Sequence, residues 1–164
     1  MDGCELYMLK KSAGILVYKI DNNILKVLLC HFGGPYWEGI DKGAWAIPKG
    51  ELSKGESIIS AAKREFKEET NLEINDELKY LGSRKVSHKK LAIIFYLEKD
   101  YNISKCKSNT FKLEYPKNSG EICEFPEMDK YEWMEISRAK QMILGNQLYF
   151  LNKLEDLVGD INDK

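Results

Sequence analysis

Residues 48–72, PKGELSKGESIISAAKREFKEETNL, constrain this chain more than any other stretch. Three glutamates, Glu65, Glu68 and Glu69, lie close together near its end. Residues three and four apart share one face of an α-helix, so a helix here would place Glu65 beside both of the others. Like charges at that spacing destabilise an isolated helix by about 0.2–0.5 kcal/mol per pair. The carboxylates therefore need a counter-charge, and Arg64 alone cannot satisfy all of them.

The same stretch carries an apolar stripe at helical spacing. The stripe should face the core, and it consists of Ile58, Ile59, Ala62 and Phe66. With about 3.6 residues per turn, Glu69 falls within this arc, Glu65 at its edge, and Arg64 on nearly the opposite side. A carboxylate held against a core face is costly unless it is paired, protonated or bound to a metal. Such a cluster suits Mg²⁺, with Mn²⁺ as the alternative, and a solvated acidic face is the other interpretation.

The spacing of the whole stretch favours the metal site. Gly50 is followed after five residues by Glu56, then after seven by Arg64-Glu65-Phe66, and the run closes with Glu68-Glu69 and Asn71-Leu72. This resembles the box of the Nudix hydrolase (MutT-like) family, GX5EX7REUXEEXGU, in which U is apolar. The chain departs from the pattern at Asn71, where the family has Gly. Since Asn is the next most tolerant residue for the left-handed conformation wanted past a helix, we expect the fold and the site to be retained.

The resemblance implies a metal site built on a loop, a helix and a second loop. The carbonyl of Gly50 and the carboxylates of Glu65, Glu68 and Glu69 would hold the divalent ions. Arg64 and Glu56 would orient these ligands rather than bind substrate. A guanidinium group suits that role because its planar fork can clamp a carboxylate through two hydrogen bonds.

A further acidic stretch, EICEFPE at residues 121–127, precedes a strand that contains Trp133. The resemblance implies an additional glutamate in a loop before such a strand, where it binds metal or activates water. Glu127 is the first choice, Glu124 the second, and Glu121 the weakest. Surface charge is the alternative interpretation. The general base stays open, because Glu65 or Glu68 could serve instead.

The Gly-rich loop at residues 32–43 carries Tyr36 and Trp37. Exposed rings in a loop can stack on a nucleobase, a contact worth about 1–3 kcal/mol in nucleic-acid complexes. The alternative is that both rings cover the sheet. Lys49 is a candidate for a phosphate contact, with a solvated loop lysine as the alternative. His31, alone at a strand end, is expected to be structural or exposed rather than a ligand.

The remaining patterns predict mainly strands. A β-hairpin is expected at residues 12–20 and 24–31, and further strands at 44–47, 78–86, 90–98, 110–115 and 131–135. The helix of the box should follow an N-cap at Ser57 and end near Thr70, and residues from 136 onward should be helical with a break near Gly145. With the resemblance, this predicts an α/β (α+β) fold of the Nudix type: an α/β/α sandwich with a central mixed β-sheet and a catalytic loop–helix–loop.

Composition fits one domain over residues 1–164, since a chain of this length can bury its own core. A net charge of −1 with mixed signs argues against broad nucleic-acid binding. No apolar run reaches membrane-spanning length, and residues 1–11 lack the core of a signal peptide. The four cysteines, Cys4, Cys30, Cys106 and Cys123, lack a paired metal spacing, which favours free thiols in the cytoplasm.

These features predict metal-dependent hydrolysis of a pyrophosphate bond in a nucleoside diphosphate linked to another moiety. The WAIPKG run at residues 45–50 resembles dinucleoside polyphosphate hydrolases, and GGPYW, WAIPKGE and EFPE resemble bacterial Nudix proteins predicted to be nucleoside-triphosphate pyrophosphohydrolases. The expected partner is a small nucleotide, with no membrane, and the protein could be a monomer or a homodimer. A non-catalytic nucleotide-binding sensor or regulator is the alternative, and an acidic-helix module without a ligand is a third.

Overall fold

The computed structural model describes residues 9–162, and side chains as far as residue 159. Its strands are β1 (Lys10–Asp21), β2 (Ile24–Phe32), β3 (Trp45–Ala46), β4 (Lys49–Glu51), β5 (Lys79–Ser87), β6 (Lys90–Glu98), β7 (Thr110–Glu114), β8 (Ile122–Pro126) and β9 (Met128–Glu135). Its helices are α1 (Ile58–Thr70), α2 (Ile136–Met142) and α3 (Leu148–Asn162), with a 3₁₀ turn at Gly145–Gln147. The predicted hairpin, the box helix and the break near Gly145 are all present.

The central sheet has seven strands and is organised around β1. β1 lies parallel to β6 and antiparallel to β2 and β4, so the predicted mixed sheet is confirmed. β5 extends the sheet beyond β6, while β3 and β9 both pair with β2. β7 and β8 form a separate two-stranded sheet, called here the β7–β8 hairpin.

Alternating side chains of β1 supply a core on each face of the sheet. Ile15 and Val17 pack with Phe66 of α1, whereas Leu16 belongs to the opposite cluster with Phe150 of α3. Successive strand residues point to opposite faces, so one buried strand can serve both layers. The predicted α/β/α sandwich is thus confirmed, with α1 on one face and α2 and α3 on the other.

The ends of α1 follow the sequence closely. The Ser57 hydroxyl accepts a hydrogen bond from the backbone N–H of Ser60 at 3.2 Å, as an N-cap should. Asn71 closes the helix in the left-handed conformation, with φ 65° and ψ 13°, and its N–H donates to the carbonyl of Lys67 at 2.8 Å. Asn71 therefore adopts the left-handed conformation that was expected at this position.

Two sequence predictions need correction. Ile59 was expected in the apolar stripe but is 46% exposed, because it lies at the edge of the buried arc in the first turn, and Ala61 is buried instead. The acidic stretch at residues 121–127 was expected as a loop, yet most of it forms β8, and β9 begins at Met128, earlier than predicted. The cause is cross-strand pairing with β7, which a short run ending in Pro126 does not reveal.

The thiols of Cys30, Cys106 and Cys123 are free, and Cys4 lies outside the described residues. Over residues 9–162, no helix is long and apolar enough to cross a membrane.

Candidate active site

The site begins where β4 meets α1. β4 pairs with β1 so that Gly50 lies opposite Ala13, and the carboxylate of Glu65 is pressed against Gly50. A Cβ atom on Gly50 would lie 2.0 Å from the carboxylate carbon of Glu65. Only glycine allows this approach between backbone and side chain. The first and the central residue of the box are therefore in direct contact.

Arg64 ties the loop before α1 to the carboxylates on the helix. Its Nε and Nη2 donate to the two oxygens of Glu56 at 2.8 and 2.9 Å, and its Nη1 donates to Glu65 at 2.7 Å and to Glu68 at 3.2 Å. The guanidinium lowers the pKa of Glu56 from 4.5 to about 2, helped by the N–H of Ser53. Arg64 thus holds three of the four box glutamates but not Glu69.

Glu69 is buried, as its position within the apolar arc predicted, with 6% of its surface exposed. One carboxylate oxygen accepts a hydrogen bond from the backbone N–H of Lys49 at 3.0 Å. Burial raises the pKa of Glu69 well above its usual value, and the charge of Glu65 raises it further. A nearly buried carboxylate with one hydrogen bond and acidic neighbours is destabilised as an anion.

Glu127 brings a carboxylate from a distant part of the chain to the same place. It lies in the turn between β8 and β9, where its N–H donates to the carbonyl of Asn109 and its carbonyl accepts from Gly33, both at 2.9 Å. Burial raises the pKa of its side chain, and the charges of Glu65 and Glu68 add to this effect. Glu127 therefore lies close enough to α1 for the charges of its glutamates to raise the pKa of Glu127.

The other two acidic candidates lie in the β7–β8 hairpin. The carboxylate of Glu124 accepts a hydrogen bond from the hydroxyl of Thr110 on the neighbouring strand, and its residue is exposed. Glu121 is also exposed, at the start of the stretch. Of these three glutamates, Glu127 is the one whose pKa is raised by the charges of the box glutamates. The roles of all three stay predictions.

The donor set suits a hard divalent cation. Burial raises the pKa values of Glu65, Glu69 and Glu127. The charge of Glu65 raises the pKa of Glu69 and of Glu127 further, and the backbone of Gly50 contacts the carboxylate of Glu65. A divalent ion with oxygen ligands would relieve that repulsion. Among the described residues no ready-made group of three acidic, His or Cys ligands is present. Arg64 and the Lys49 N–H hydrogen-bond to the carboxylates of Glu65 and Glu69.

Lys49 lies on β4 beside these carboxylates. Burial lowers the pKa of its amine, and the charge of Glu69 acts in the opposite direction. It is therefore a partly buried cation at the edge of an acidic cluster, rather than the solvated loop lysine of the alternative interpretation. Its contact with a phosphate stays a prediction.

The two aromatic residues of the Gly-rich loop behave differently. Tyr36 is 58% exposed, whereas Trp37 is partly buried and lies 4.8 Å from the ring of Phe32. Trp37 thus covers the end of β2, while Tyr36 packs edge-on against Tyr115 and keeps most of its surface exposed. The loop is fixed to the turn that carries Glu127, because Gly33 approaches Pro126 so closely that a Cβ atom would lie 2.0 Å from its carbonyl oxygen.

His31 has the structural role that was expected of it. The buried ring contacts the carboxylate of Asp129 through Nδ1 at 2.7 Å and the carbonyl of Ile40 through Nε2 at 2.6 Å. It also packs edge-on against Trp45. His31 therefore joins the Gly-rich loop to β9. Sequence reasoning missed Asp129, whose partner lies far away in the chain.

A cavity of about 540 Å³ adjoins the outer flank of α1. It shares Arg64 and Glu68 with the cluster and adds Lys63, Lys67 and Asn109. Lys67 is paired with Glu73 at its rim. This flank is polar, and Glu65 and Glu69 do not line it.

The α/β/α sandwich, with the glutamate-rich helix α1 packed against β4, is typical of one family of proteins. Residues 8–153 match the NUDIX domain, and the chain belongs to this family. It is 25% identical over 159 residues to the RNA pyrophosphohydrolase of Pelagibacter ubique, covering 93% of each chain. It is 27% identical over 150 residues to the bis(5'-nucleosyl)-tetraphosphatase [asymmetrical] of Mus musculus, covering 85% of this chain and 82% of that one.

The fold is likewise shared with solved structures. The NUDIX domain of Shewanella oneidensis NrtR, complexed with ADP ribose, superposes with a TM-score of 0.65 at 14% identity and covers 96% of this chain and 94% of that one. The predicted fold class, family and enzyme class, a Nudix pyrophosphohydrolase, are therefore confirmed. Enzymes of this family generally use divalent metal ions.

Proposed function

We propose that this protein hydrolyses a pyrophosphate bond in a nucleoside diphosphate linked to another moiety, and that it requires Mg²⁺, with Mn²⁺ as a substitute. The observation that carries this proposal is the buried carboxylate of Glu69 beside Glu65 and Glu127. Clustered carboxylates destabilise the folded state, because each negative charge makes the others more costly to bury in the ionised form. The arrangement makes sense if a cation is bound there.

The proposed ligands are those that the box predicts: the carbonyl of Gly50 and the carboxylates of Glu65, Glu68 and Glu69. When bound, the metal would neutralise phosphate oxygens and lower the pKa of a coordinated water. Arg64 and Glu56 would support the site from the side, since their paired hydrogen bonds fix the loop before α1 against the helix. Their removal should loosen the ligands rather than abolish substrate binding.

We assign the general base to Glu127, with Glu65 and Glu68 as the alternatives. In the reaction a water oxygen forms a new bond to phosphorus, the bond from phosphorus to the bridging oxygen breaks, and the base accepts the proton of the water. A carboxyl group with a raised pKa is better matched to this task near neutral pH than an ordinary exposed one. Glu127 meets that condition and stands apart from Arg64. Glu124, the second choice for the additional glutamate, is exposed and accepts a hydrogen bond from Thr110, so it suits this task less well.

The substrate would lie with its phosphates near Lys49 and its base near the Gly-rich loop. A partly buried ammonium beside the carboxylates can contact a phosphate without water between them. Tyr36 is our candidate for a base contact because its ring is exposed. Trp37 would act indirectly by holding the loop against Phe32.

The names of the relatives set the first substrates to test. RNA with a 5′ triphosphate and diadenosine tetraphosphate correspond to the two relatives, and nucleoside triphosphates correspond to the resemblance of the loops. All three contain a nucleoside diphosphate linked to a further group. We propose a cytoplasmic enzyme that acts on small nucleotides.

The test is a hydrolysis screen with products separated by chromatography. It covers diadenosine tetraphosphate, triphosphorylated RNA, canonical nucleoside triphosphates and ADP-ribose, with and without Mg²⁺. Glu69→Gln is the informative variant, since the amide keeps the shape and an acceptor for the Lys49 N–H. Glu77→Gln is the matched control, because Glu77 is exposed and outside the site.

Turnover by the parent and the control, with a loss of about 100-fold or more in Glu69→Gln, would support the proposal. The product pair would identify the bond that is cut. Nucleotide binding without turnover across the panel would overturn the enzymatic proposal and favour the sensor. An unaltered rate in a folded Glu69→Gln protein would overturn the assignment of the site.

A further inference from the structure

A second cavity lies on the face of the sheet opposite α1, between strand β5 and the beginning of α3. This β5–α3 pocket has a volume of about 350 Å³, and small-molecule sites typically measure about 300–1,000 Å³. The polar part of its wall consists of Arg84, Lys85, Asn146, Tyr149 and Asn152. These residues belong neither to the carboxylate cluster nor to the cavity on the outer flank of α1. The β5–α3 pocket is therefore a separate candidate site.

The β5–α3 pocket is positively charged. Within the part of the chain that the structure describes, its lining contains Arg84 and Lys85 but neither Asp nor Glu. The ammonium group of Lys153 adjoins the pocket, since its Nζ donates to the hydroxyl of Tyr149 at 3.3 Å. None of these three cations forms an ion pair with a described carboxylate. Their mutual repulsion would be relieved by a bound anion.

The ring of Tyr149 holds two of the three cations in place. The guanidinium carbon of Arg84 lies 4.7 Å from the centre of this ring, and Nζ of Lys153 lies 5.6 Å from it. Both distances fall within the range of about 6 Å that defines a cation–π contact. Lys153 also packs over Gly82 of β5, where a Cβ atom would lie 3.2 Å from its Nζ. The cations are thus ordered without a ligand, which lowers the entropic cost of binding one.

A phosphate group matches these donors best. A guanidinium group can bind two phosphate oxygens through its planar fork, and an ammonium group adds a point charge. A phosphate monoester has a charge of about −1.5 to −2, which three cations balance better than the single charge of a carboxylate. The amide of Asn146 is oriented by its hydrogen bond to the carbonyl of Val86 at 3.0 Å. The exposed amide of Asn152 adds N–H donors to the same wall.

We propose that the β5–α3 pocket binds a phosphate group other than the one that is hydrolysed, with Arg84 and Lys85 as its direct contacts. Two sources supply this chemistry. One is a separate phosphorylated small molecule. The other is the backbone of a polynucleotide whose 5′ end lies at the carboxylate cluster. Only the second source rests on the proposed function.

The register of the strands places the pocket within reach of a longer substrate. Arg84 lies in the same row of the sheet as Glu51, three strands away, through the pairs of β4 with β1, β1 with β6 and β6 with β5. At about 4.8 Å per strand, this separation is about 14 Å. Lys90 begins the strand that pairs with β5, and its Nζ lies 3.7 Å from the carboxylate of Glu51. Lys90 therefore places positive charge between β4 and the pocket, over a distance that a few nucleotides can span.

The test is an NMR titration of the isotope-labelled full chain in the absence of divalent metal ions. The probes are ribose 5-phosphate, which is a phosphate monoester, and a short single-stranded RNA with a 5′-hydroxyl end. At constant ionic strength, at least one probe should shift the amide signals of residues 82–85 and 145–149 in a saturable way. Saturation by ribose 5-phosphate would identify the small-molecule source, and saturation by RNA alone would identify the polynucleotide.

The double variant Arg84→Gln/Lys85→Gln should raise the Kd of the bound probe by about 10-fold or more, because it removes both direct contacts. Lys79→Gln is the matched control, since Lys79 is exposed on the same strand and does not line the pocket. Its Kd should equal that of the parent. If the double variant does not fold, Lys85→Gln alone decides, because Lys85 is exposed. An unchanged Kd in the folded variant would overturn the inference, as would the absence of saturable shifts with both probes.

A catalytic variant separates this inference from the proposed function. Glu69→Gln should bind the probes as the parent does, because Glu69 packs on the other face of the sheet. Binding that depends on Arg84 and Lys85, by a protein that hydrolyses nothing, would contradict the proposed function and leave the β5–α3 pocket standing. Mg²⁺-dependent hydrolysis by a protein whose pocket binds neither probe would contradict this inference alone.

Discussion

The carboxylate of Glu65 lies where a side chain on Gly50 would begin, with 2.0 Å between its carboxylate carbon and the position of a Cβ atom. Strand β4 and helix α1 are thus in contact through Gly50 and Glu65, which lie fifteen positions apart in the box. The contact fixes the Glu65 side chain, and Arg64 holds it from the other side at 2.7 Å.

Gly50→Ala should therefore damage activity more than stability. The added methyl group must push Glu65 away, and a displacement of about 1 Å in a catalytic group can cost about 100-fold in rate. The measurement is kcat for the substrate found in the screen, together with urea unfolding. Gly145→Ala is the control, since a Cβ there meets nothing within 4 Å. A Gly50→Ala enzyme with the parent's kcat would show that the contact is irrelevant to catalysis.

The pairing of Glu56 with Arg64 predicts a pH dependence of stability. In the folded protein the pKa of Glu56 is lowered from 4.5 to about 2, so the folded state binds fewer protons than the unfolded state between these values. The stabilisation is present above about pH 4.5 and is lost as the pH falls toward about 2. Glu56→Gln should make the decline of the unfolding free energy shallower in this window.

The measurement is urea unfolding of the parent and Glu56→Gln at several pH values from about 6 down to about 3. Glu121→Gln serves as the control, because Glu121 is exposed in the β7–β8 hairpin region. Equal acid slopes for the parent and Glu56→Gln would refute the pairing.

The buried His31 should matter for the Gly-rich loop rather than for chemistry. His31→Phe removes the hydrogen-bond contacts with the Asp129 carboxylate and the Ile40 carbonyl, and each such bond contributes about 0.5–1.5 kcal/mol net. We expect that loss in the free energy of unfolding and faster hydrogen exchange in residues 33–43. His88→Phe, at an exposed position, should change neither quantity. Parent-like exchange in His31→Phe would contradict this role.

Asn71 should be replaceable by the glycine that the family has. Its backbone is left-handed, with φ 65°, a conformation that glycine adopts without strain and β-branched residues resist. Asn71→Gly should be neutral or slightly stabilising, while Asn71→Val should lose about 1–2 kcal/mol. Thermal unfolding of the two variants measures this difference. Equal melting temperatures would mean that the turn has rearranged.

Local sequence patterns predicted helix α1 and both of its ends. The N-cap at Ser57 and the left-handed residue at Asn71 follow from the residue types at the helix ends, and the burial of Glu69 follows from helical periodicity. All three are local features, so the sequence could predict them. Ile59 was misplaced because periodicity gives the direction of a side chain but not where the neighbouring sheet ends.

Local sequence patterns could not predict contacts between segments that lie far apart in the chain. The family resemblance, rather than any local pattern, pointed to Glu127, because its approach to α1 depends on the turn between β8 and β9. The pairing of His31 with Asp129 depends on the register of β2 against β9, and no pattern indicated it. A pairing of strands across such a separation leaves little trace in either strand alone.

We propose that the glutamates of α1 hold a catalytic divalent cation. The most direct measurement is the initial hydrolysis rate as a function of Mg²⁺ concentration for the parent, Glu69→Gln and Glu77→Gln. We expect saturable activation in the parent and in Glu77→Gln, and a rate at least about 100-fold lower in Glu69→Gln at every concentration. Full activity without a divalent ion, or parent-like activation of a folded Glu69→Gln protein, would contradict it.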